Sequence, residues 1–185
     1  MVTAPETHWS KPKGRLPNSR FPLLVHRQAV PGGGEGVRER LRANGWLNNW
    51  RYPGVYTYPH FHSTTHECLG VVTGWMEVEV FGRGGTSIRV EAGDVIVMPA
   101  GVSHCMVGHS DDIMMVGGYP DGRDWDNMQE EHLTDDTFRA AAKRIMMLPI
   151  PARDPVTGGP MTEWIDAPSS VDADLNEFRD GLDPV

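Results

Sequence analysis

Pro59-His60-Phe61-His62-Ser63-Thr64-Thr65-His66-Glu67-Cys68-Leu69-Gly70-Val71-Val72-Thr73-Gly74 is the stretch on which the reading of this chain turns. His60 and His62 flank a single residue. Alternate side chains of an extended strand share a face, so the two imidazoles point the same way. Two neutral imidazoles and a carboxylate form a donor set for iron, manganese, nickel, zinc or cobalt. Glu67 follows five positions after His62, far enough to come back in from a bend. A further imidazole, His104, lies beyond another loop and strand, and strands distant in sequence become neighbours in a barrel. The apolar run Cys68 to Val72, closed by Thr73-Gly74, reads as a strand ending in a turn.

Working outward, Trp50 to His62 alternates with period two, which predicts one strand. Trp50, Tyr52, Tyr56, Tyr58, His60 and His62 would share its inner face, with Thr57 and Phe61 turned away and Pro59 adding a kink. Met76, Val78 and Val80 alternate with Glu77 and Glu79, the pattern of a half-buried strand. Phe81 to Gly85 is a hairpin loop leading to Ile88 and Val90, and Ala92-Gly93-Asp94 turns into Val95-Ile96-Val97-Met98, a strand buried on both faces. Cys105 to Val107 and Ile113 to Val116 supply two more. Short strands at this spacing predict an all-β sandwich or barrel with its core at about residues 46–119.

The flanks read differently. Residues 1–20 are rich in Pro, Lys and Ser and are expected to form a flexible arm; Phe21 to Val30 is a first strand, marked as an edge by Pro22. Pro31 to Gly34 is a loop. A short helix over Glu35 to Ala43, with Val37 and Leu41 as its apolar stripe, stops at Asn44-Gly45. After the turn Tyr119-Pro120-Asp121-Gly122, Thr134 caps a helix that runs to about Met147 and buries Phe138, Ala141, Ala142 and Ile145. Pro149 to Pro160 crosses back, and the acidic tail 166–185 is expected to fray. One domain, 21–165, is implied by the 185-residue length.

Twenty-one glycines and fifteen prolines suit strands joined by tight turns rather than a helical bundle. The formal charge of −8 argues against nucleic acid as a partner. Arg38, Arg40 and Arg42 are interleaved with Glu35 and Glu39 and read as a solvated helix face. No apolar run reaches membrane-spanning length and no signal-peptide core is present, so no membrane partner and a cytoplasmic location are expected, with Cys68 and Cys105 as reduced thiols.

The spacing of the histidine stretch resembles the cupin family. Gly54, five residues, His60-x-His62, four residues, Glu67, six residues, Gly74 matches the first cupin motif. Gly93, five residues, Pro99-x-Gly101, two residues, His104 matches the second, and eighteen residues separate the two. The departure is Gly108, where the family pattern more often has Asn at a position that is not a ligand. Asn44-Gly45-Trp46, Trp50-Arg51, the His62 to Gly70 run, Pro99-Ala100-Gly101, Gly117 to Pro120 and Asp154-Pro155-Val156 extend the likeness to bacterial cupins of the YjlB type over about residues 16–165. The resemblance implies a double-stranded β-helix, a jelly-roll barrel, with a short helix before it and another after. It also implies one divalent metal held by His60, His62, Glu67 and His104, with positions left open for water or substrate.

Alternation turns His66, Cys68 and Cys105 off the metal face: the histidine towards a hydrogen-bonding or surface role, the thiols towards small buried hydrophobes. Tyr56 and Tyr58 either pack in the core or line the cavity, and Tyr58, two residues from a ligand, is the candidate catalytic proton donor. Trp46 and Trp50 read as core; Trp75 falls out of phase with its strand and faces a homodimer contact. Two functions fit these residues. One is a metal-dependent oxygenase, isomerase, lyase or decarboxylase acting on a small hydroxy, keto or carboxylate substrate. The other is a binding or sensing module whose metal is structural or absent.

Overall fold

The computed structural model describes residues 3–167, and in it the β signals become two antiparallel sheets. The strands are β1 Glu6–His8, β2 Leu23–His26, β3 Trp46–Leu47, β4 Arg51–Tyr52, β5 Glu67–Thr73, β6 Trp75–Val80, β7 Thr86–Glu91, β8 Val95–Met98, β9 His104–His109 and β10 Met114–Pro120. The larger sheet runs β1-β2-β8-β5-β10-β3, with β4 also on β10; the smaller runs β7-β6-β9. Their inner faces enclose Leu23, Val25, Leu69, Val71, Met76, Val78, Val90, Ile96, Met98 and Met115, the main core. Gly74, at φ +68°, makes the turn by which the chain passes from β5 to β6; a Cβ there would lie 2.2 Å from Ser110 Oγ.

The unbroken apolar run of β8 is explained by what covers it. Ile96 and Met98 face the inter-sheet core, while Val95 and Val97 face an outer layer. That layer is built from α1 (Gly36–Ala43), through Val37 and Leu41, and from the C-terminal crossing segment, through Val156, Met161 and Trp164. The segment is tied down by donors from the first third of the chain: Asn44 Nδ2 to the Pro155 carbonyl, Trp46 Nε1 to that of Arg153, and Arg40 to that of Val156. Beneath it His26 Nε2 lies 3.0 Å from Asp154 Oδ2, with both side chains buried. α2 (Asp135–Met147), capped by Thr134 as expected, packs Phe138 and Ala141 against Phe61 and Leu16; a four-residue helix, α3 (Thr162–Ile165), carries Trp164.

Three expectations need correction. The strand predicted over Trp50 to His62 is only Arg51–Tyr52; Pro53, Gly54 and Pro59 break the ladder. From Pro53 onward the chain runs as a loop stitched to β9 by Tyr56–Met106 and His60–His104 backbone bonds. The strand predicted over Phe21 to Val30 is Leu23–His26, and it is not an edge, because β1 and β8 flank it. Pro22 sits just before it, where the missing N–H costs no ladder bond. Residues 6–8, expected in the arm, are β1 itself. Most of the expected acidic tail lies outside the described residues. Gly108, the departure from the family pattern, lies within β9. No helix among the described residues is long and apolar enough to cross a membrane.

Candidate metal centre

His60, His62, Glu67 and His104 meet at the mouth of the barrel. His60 and His104 form an isolated antiparallel bridge through reciprocal backbone bonds, with ring centroids 4.2 Å apart. Phe61, between the two sequence-adjacent histidines, turns the opposite way into the α2 layer, so the alternation inferred from the sequence holds locally without a regular strand. Glu67 opens β5 and is fully enclosed.

The tautomers converge on one arrangement. His60 Nδ1 donates to the Tyr58 carbonyl at 3.1 Å, His104 Nδ1 to the Val102 carbonyl at 3.1 Å, and His62 Nδ1 to the Asp126 carbonyl. A carbonyl can only accept, so each Nδ1 carries the proton and each Nε2 is free to offer its lone pair. The three histidines bring ligating nitrogens within 4.8 Å of one another. Glu67 Oε2 completes the group, 3.3 Å from His62 Nε2 and 3.4 Å from His104 Nε2, while Tyr119 donates to its other oxygen at 2.8 Å. Glu67 Oε2 and His104 Nε2 are buried with no hydrogen-bond partner. Buried polar atoms are normally satisfied, and a set of orphaned donors aimed at one point, each oriented by an outer carbonyl or phenol, fits a divalent cation.

The electrostatics differ between the imidazoles. Burial, reinforced by His104 and His62, drives the His60 pKa far below the usual imidazole range. Burial works against a charged His62 as well, but the adjoining Glu67 carboxylate outweighs it and the pKa is raised. Burial would raise Glu67; the imidazoles of His62 and His104 win and hold it well below the usual carboxylate range.

Around this cluster opens a cavity of about 530 Å³ lined by aromatic side chains. Tyr56 lines it; Tyr58 does not. The Tyr58 hydroxyl accepts a hydrogen bond from Asn127 outside the cavity, and its contribution to the cluster is the carbonyl that orients His60. The phenol that reaches the cluster is Tyr119, whose hydroxyl also accepts from Trp50 Nε1 at 2.9 Å. Gly117 makes room for that indole, since a Cβ there would lie 2.1 Å from it. Asp126 is a second residue that no sequence motif picks out. Its carboxylate accepts from the N–H groups of Ser63 and Thr64 and from the Ser63 hydroxyl, fixing the chain just past His62, and Arg144 of α2 buttresses the same hydroxyl.

His66 points away. It is buried against Trp164 and Phe21, accepts from the Ala100 N–H at Nδ1, donates from Nε2 to the Pro149 carbonyl, and burial pushes its pKa down to about 4. Cys68 and Cys105 are free and buried, off the cluster. Trp75 is half-buried on the outer face of β6 with the Arg89 guanidinium 3.8 Å over its ring.

Comparison with known proteins places this geometry in context. Residues 52–116 match the cupin domain. Over 161 residues the chain is 35% identical to the uncharacterized protein YjlB of Bacillus subtilis, covering 83% of this chain and 90% of that one. Among solved structures it is similar to an acireductone dioxygenase from Bacillus anthracis with a cadmium ion in its active centre, at 15% identity and TM-score 0.39, covering 51% of this chain and 63% of that one. It is likewise similar to the oxalate decarboxylase OxdC of Bacillus subtilis, at 16% identity and TM-score 0.39, covering 65% of this chain and only 32% of that one.

Proposed function

Since the chain belongs to the YjlB type of the cupin family, we propose that it is a metal-dependent enzyme acting on a small molecule with adjacent oxygen donors. In this reading His60, His62, Glu67 and His104 ligate one divalent ion of iron, manganese, nickel, zinc or cobalt. The observation that carries it is the set of three imidazoles whose Nδ1 atoms are all committed to carbonyls and whose ligating nitrogens lie within 4.8 Å of one another, with Glu67 Oε2 against two of them beside an open cavity.

The bound ion would polarise a substrate oxygen or engage dioxygen. The chain's own residues do the rest. The carbonyls of Tyr58, Val102 and Asp126 keep the imidazoles neutral and in register; Tyr119 holds Glu67 in one rotamer; and the aromatic walls exclude water from the bound substrate. Four protein donors leave one or two positions on a six-coordinate ion, which suits a hydroxy, keto or carboxylate ligand and an oxygenase, isomerase, lyase or decarboxylase reaction. A structural site would normally be closed.

Metal analysis of protein purified without chelators tests the first half, with about one equivalent of a transition metal expected. Screening hydroxy and keto acids with and without dioxygen tests the second. Metal without turnover of any of them would favour a binding or sensing module, and absence of metal would remove the reading.

A further inference from the structure

The cavity over the cluster is far larger than a small acid needs. It measures about 530 Å³. A two-carbon diacid, taken as three waters at roughly 30 Å³ each, would fill about a sixth of such a space. Its walls are not built for a polar guest either: Trp50, Tyr52, Val55, Tyr56, Tyr119 and Trp125 present rings and methyl groups.

The polar groups on the rim are mostly engaged elsewhere. Arg51, the cation at the mouth, is paired with Glu35, and Asn49 Nδ2 is spent on the carbonyls of Trp46 and Gly117. Apolar surface continues outward. Tyr52 is 62% exposed, Tyr56 43% and Trp125 38%, three large side chains gathered at one opening. A cluster of exposed aromatics around a concave site marks a surface that a ligand covers. Tyr56 already meets the ring of His60 edge-on at 5.0 Å, and Trp125 lies 5.5 Å from His62, so the apolar wall reaches directly down to the polar floor.

We propose that the substrate is an aromatic compound bearing two adjacent oxygen functions, its ring held by Tyr52, Tyr56 and Trp125 and its oxygens turned to the histidine–glutamate floor. This rests on the metal-centre reading above for the floor alone; the walls carry the ring. The size of the cavity and the aromatic share of its lining favour a ring-bearing ligand over the smallest hydroxy and keto acids.

Binding of 4-nitrocatechol to zinc-loaded protein, followed by its visible absorption, tests the assignment, with oxalate and lactate as competitors. Nitrocatechol is expected to bind at least about tenfold more tightly than either acid. The double variant Tyr52→Ala/Tyr56→Ala removes exposed side chains without opening the core; compared at full zinc loading, it should weaken nitrocatechol about tenfold and oxalate far less. Equal or tighter binding of oxalate or lactate, or a double variant that holds nitrocatechol as well as the parent, overturns the proposal. Failure to take up zinc would instead sink the metal-centre reading. Nitrocatechol binding of equal strength without zinc would support the aromatic wall and remove the metal from it.

Discussion

At the scale of single residues the ligand cluster depends on groups that are not themselves ligands. Tyr119 donates to Glu67 at 2.8 Å in a buried site, so Tyr119→Phe leaves a carboxylate oxygen without its partner. That omission costs about 1–3 kcal/mol, and outer partners of this kind change metal affinity by roughly 10–100-fold. The expected outcome is a metal dissociation constant raised within that range while the circular dichroism of the fold is unchanged; titration with zinc against a competing chelator measures it. His66→Ala should keep most of the metal-dependent thermal shift, whereas His62→Ala, Glu67→Gln and His104→Ala should each abolish it. If His66→Ala behaves like Glu67→Gln in a melting experiment, the ligands have been misassigned. The histidines and Glu67 were legible because motif spacing ties them to neighbouring positions. Tyr119 was not, since it lies 52 residues from Glu67 and only strand pairing brings β10 beside β5. Asp126 was hidden for the same reason, being 64 residues from the ring that its carbonyl orients.

Among the elements, those with a strong internal period were readable and those decided by partners were not. β6 and β8 follow directly from their alternating and continuous apolar patterns, and the Thr134 cap of α2 from its side chain and acidic first turn. The Trp50 to His62 segment has the right alternation, but prolines and a glycine at φ +95° deny it ladder bonds, so an apparent strand becomes a loop. Nor does the sequence say that the crossing segment is anchored by a buried carboxylate–imidazole contact. Asp154 faces His26 at 3.0 Å and accepts from the N–H groups of Val156 and Thr157. Burial pushes its pKa up, but these partners prevail and the pKa is lowered. A lowered carboxylate pKa contributes stability that is present above the unfolded value, about 3.9, and is lost as pH falls through the folded one. Asp154→Asn should therefore lower stability at pH 7 by about 1.5–3 kcal/mol, the range for hydrogen bonds to a charged group, and the melting temperature by ~3–12 °C. The deficit should shrink below about pH 4, where the parent carboxylate protonates too. A deficit that persists unchanged at pH 3 in denaturant titrations would assign the effect to packing instead.

For the whole molecule, the outer face of the small sheet bears on assembly. Trp75 and the 54%-exposed Val107 lie on β6 and β9 of that sheet, and we expect a homodimer through it; a monomer by light scattering at micromolar concentration rejects this. Metal and stability should be linked as well. A ligand at a hundred times its dissociation constant adds about 2.7 kcal/mol to the folded state. At roughly 2–4 °C per kcal/mol, the metal-free protein should melt ~5–10 °C lower. The pH dependence has opposite signs in the two forms. Without metal, His62 has a raised pKa because Glu67 faces it. That pair stabilises the fold fully below the unfolded imidazole value, near 6.5, and the contribution is lost as pH rises through the folded value. With metal, His62 must be neutral and Glu67 ionised, so protons compete with the ion and the stabilisation is lost as pH falls. His60, driven far below the imidazole range by burial, holds no proton in this window and does not compete, whereas His62, with its raised pKa, does. The gap between loaded and metal-free melting temperatures should thus be largest at pH 8, begin to narrow as pH falls through the raised His62 value, above about 6.5, and be small by about pH 5. In the His62→Ala variant the metal-free protein should lose the added acid-side stability as well as the metal response. Scanning calorimetry of both forms from pH 5 to 8 measures this; a gap that is constant or widens towards pH 5, or chelation that leaves the pH 8 melting temperature unmoved, contradicts a metal centre at these four residues.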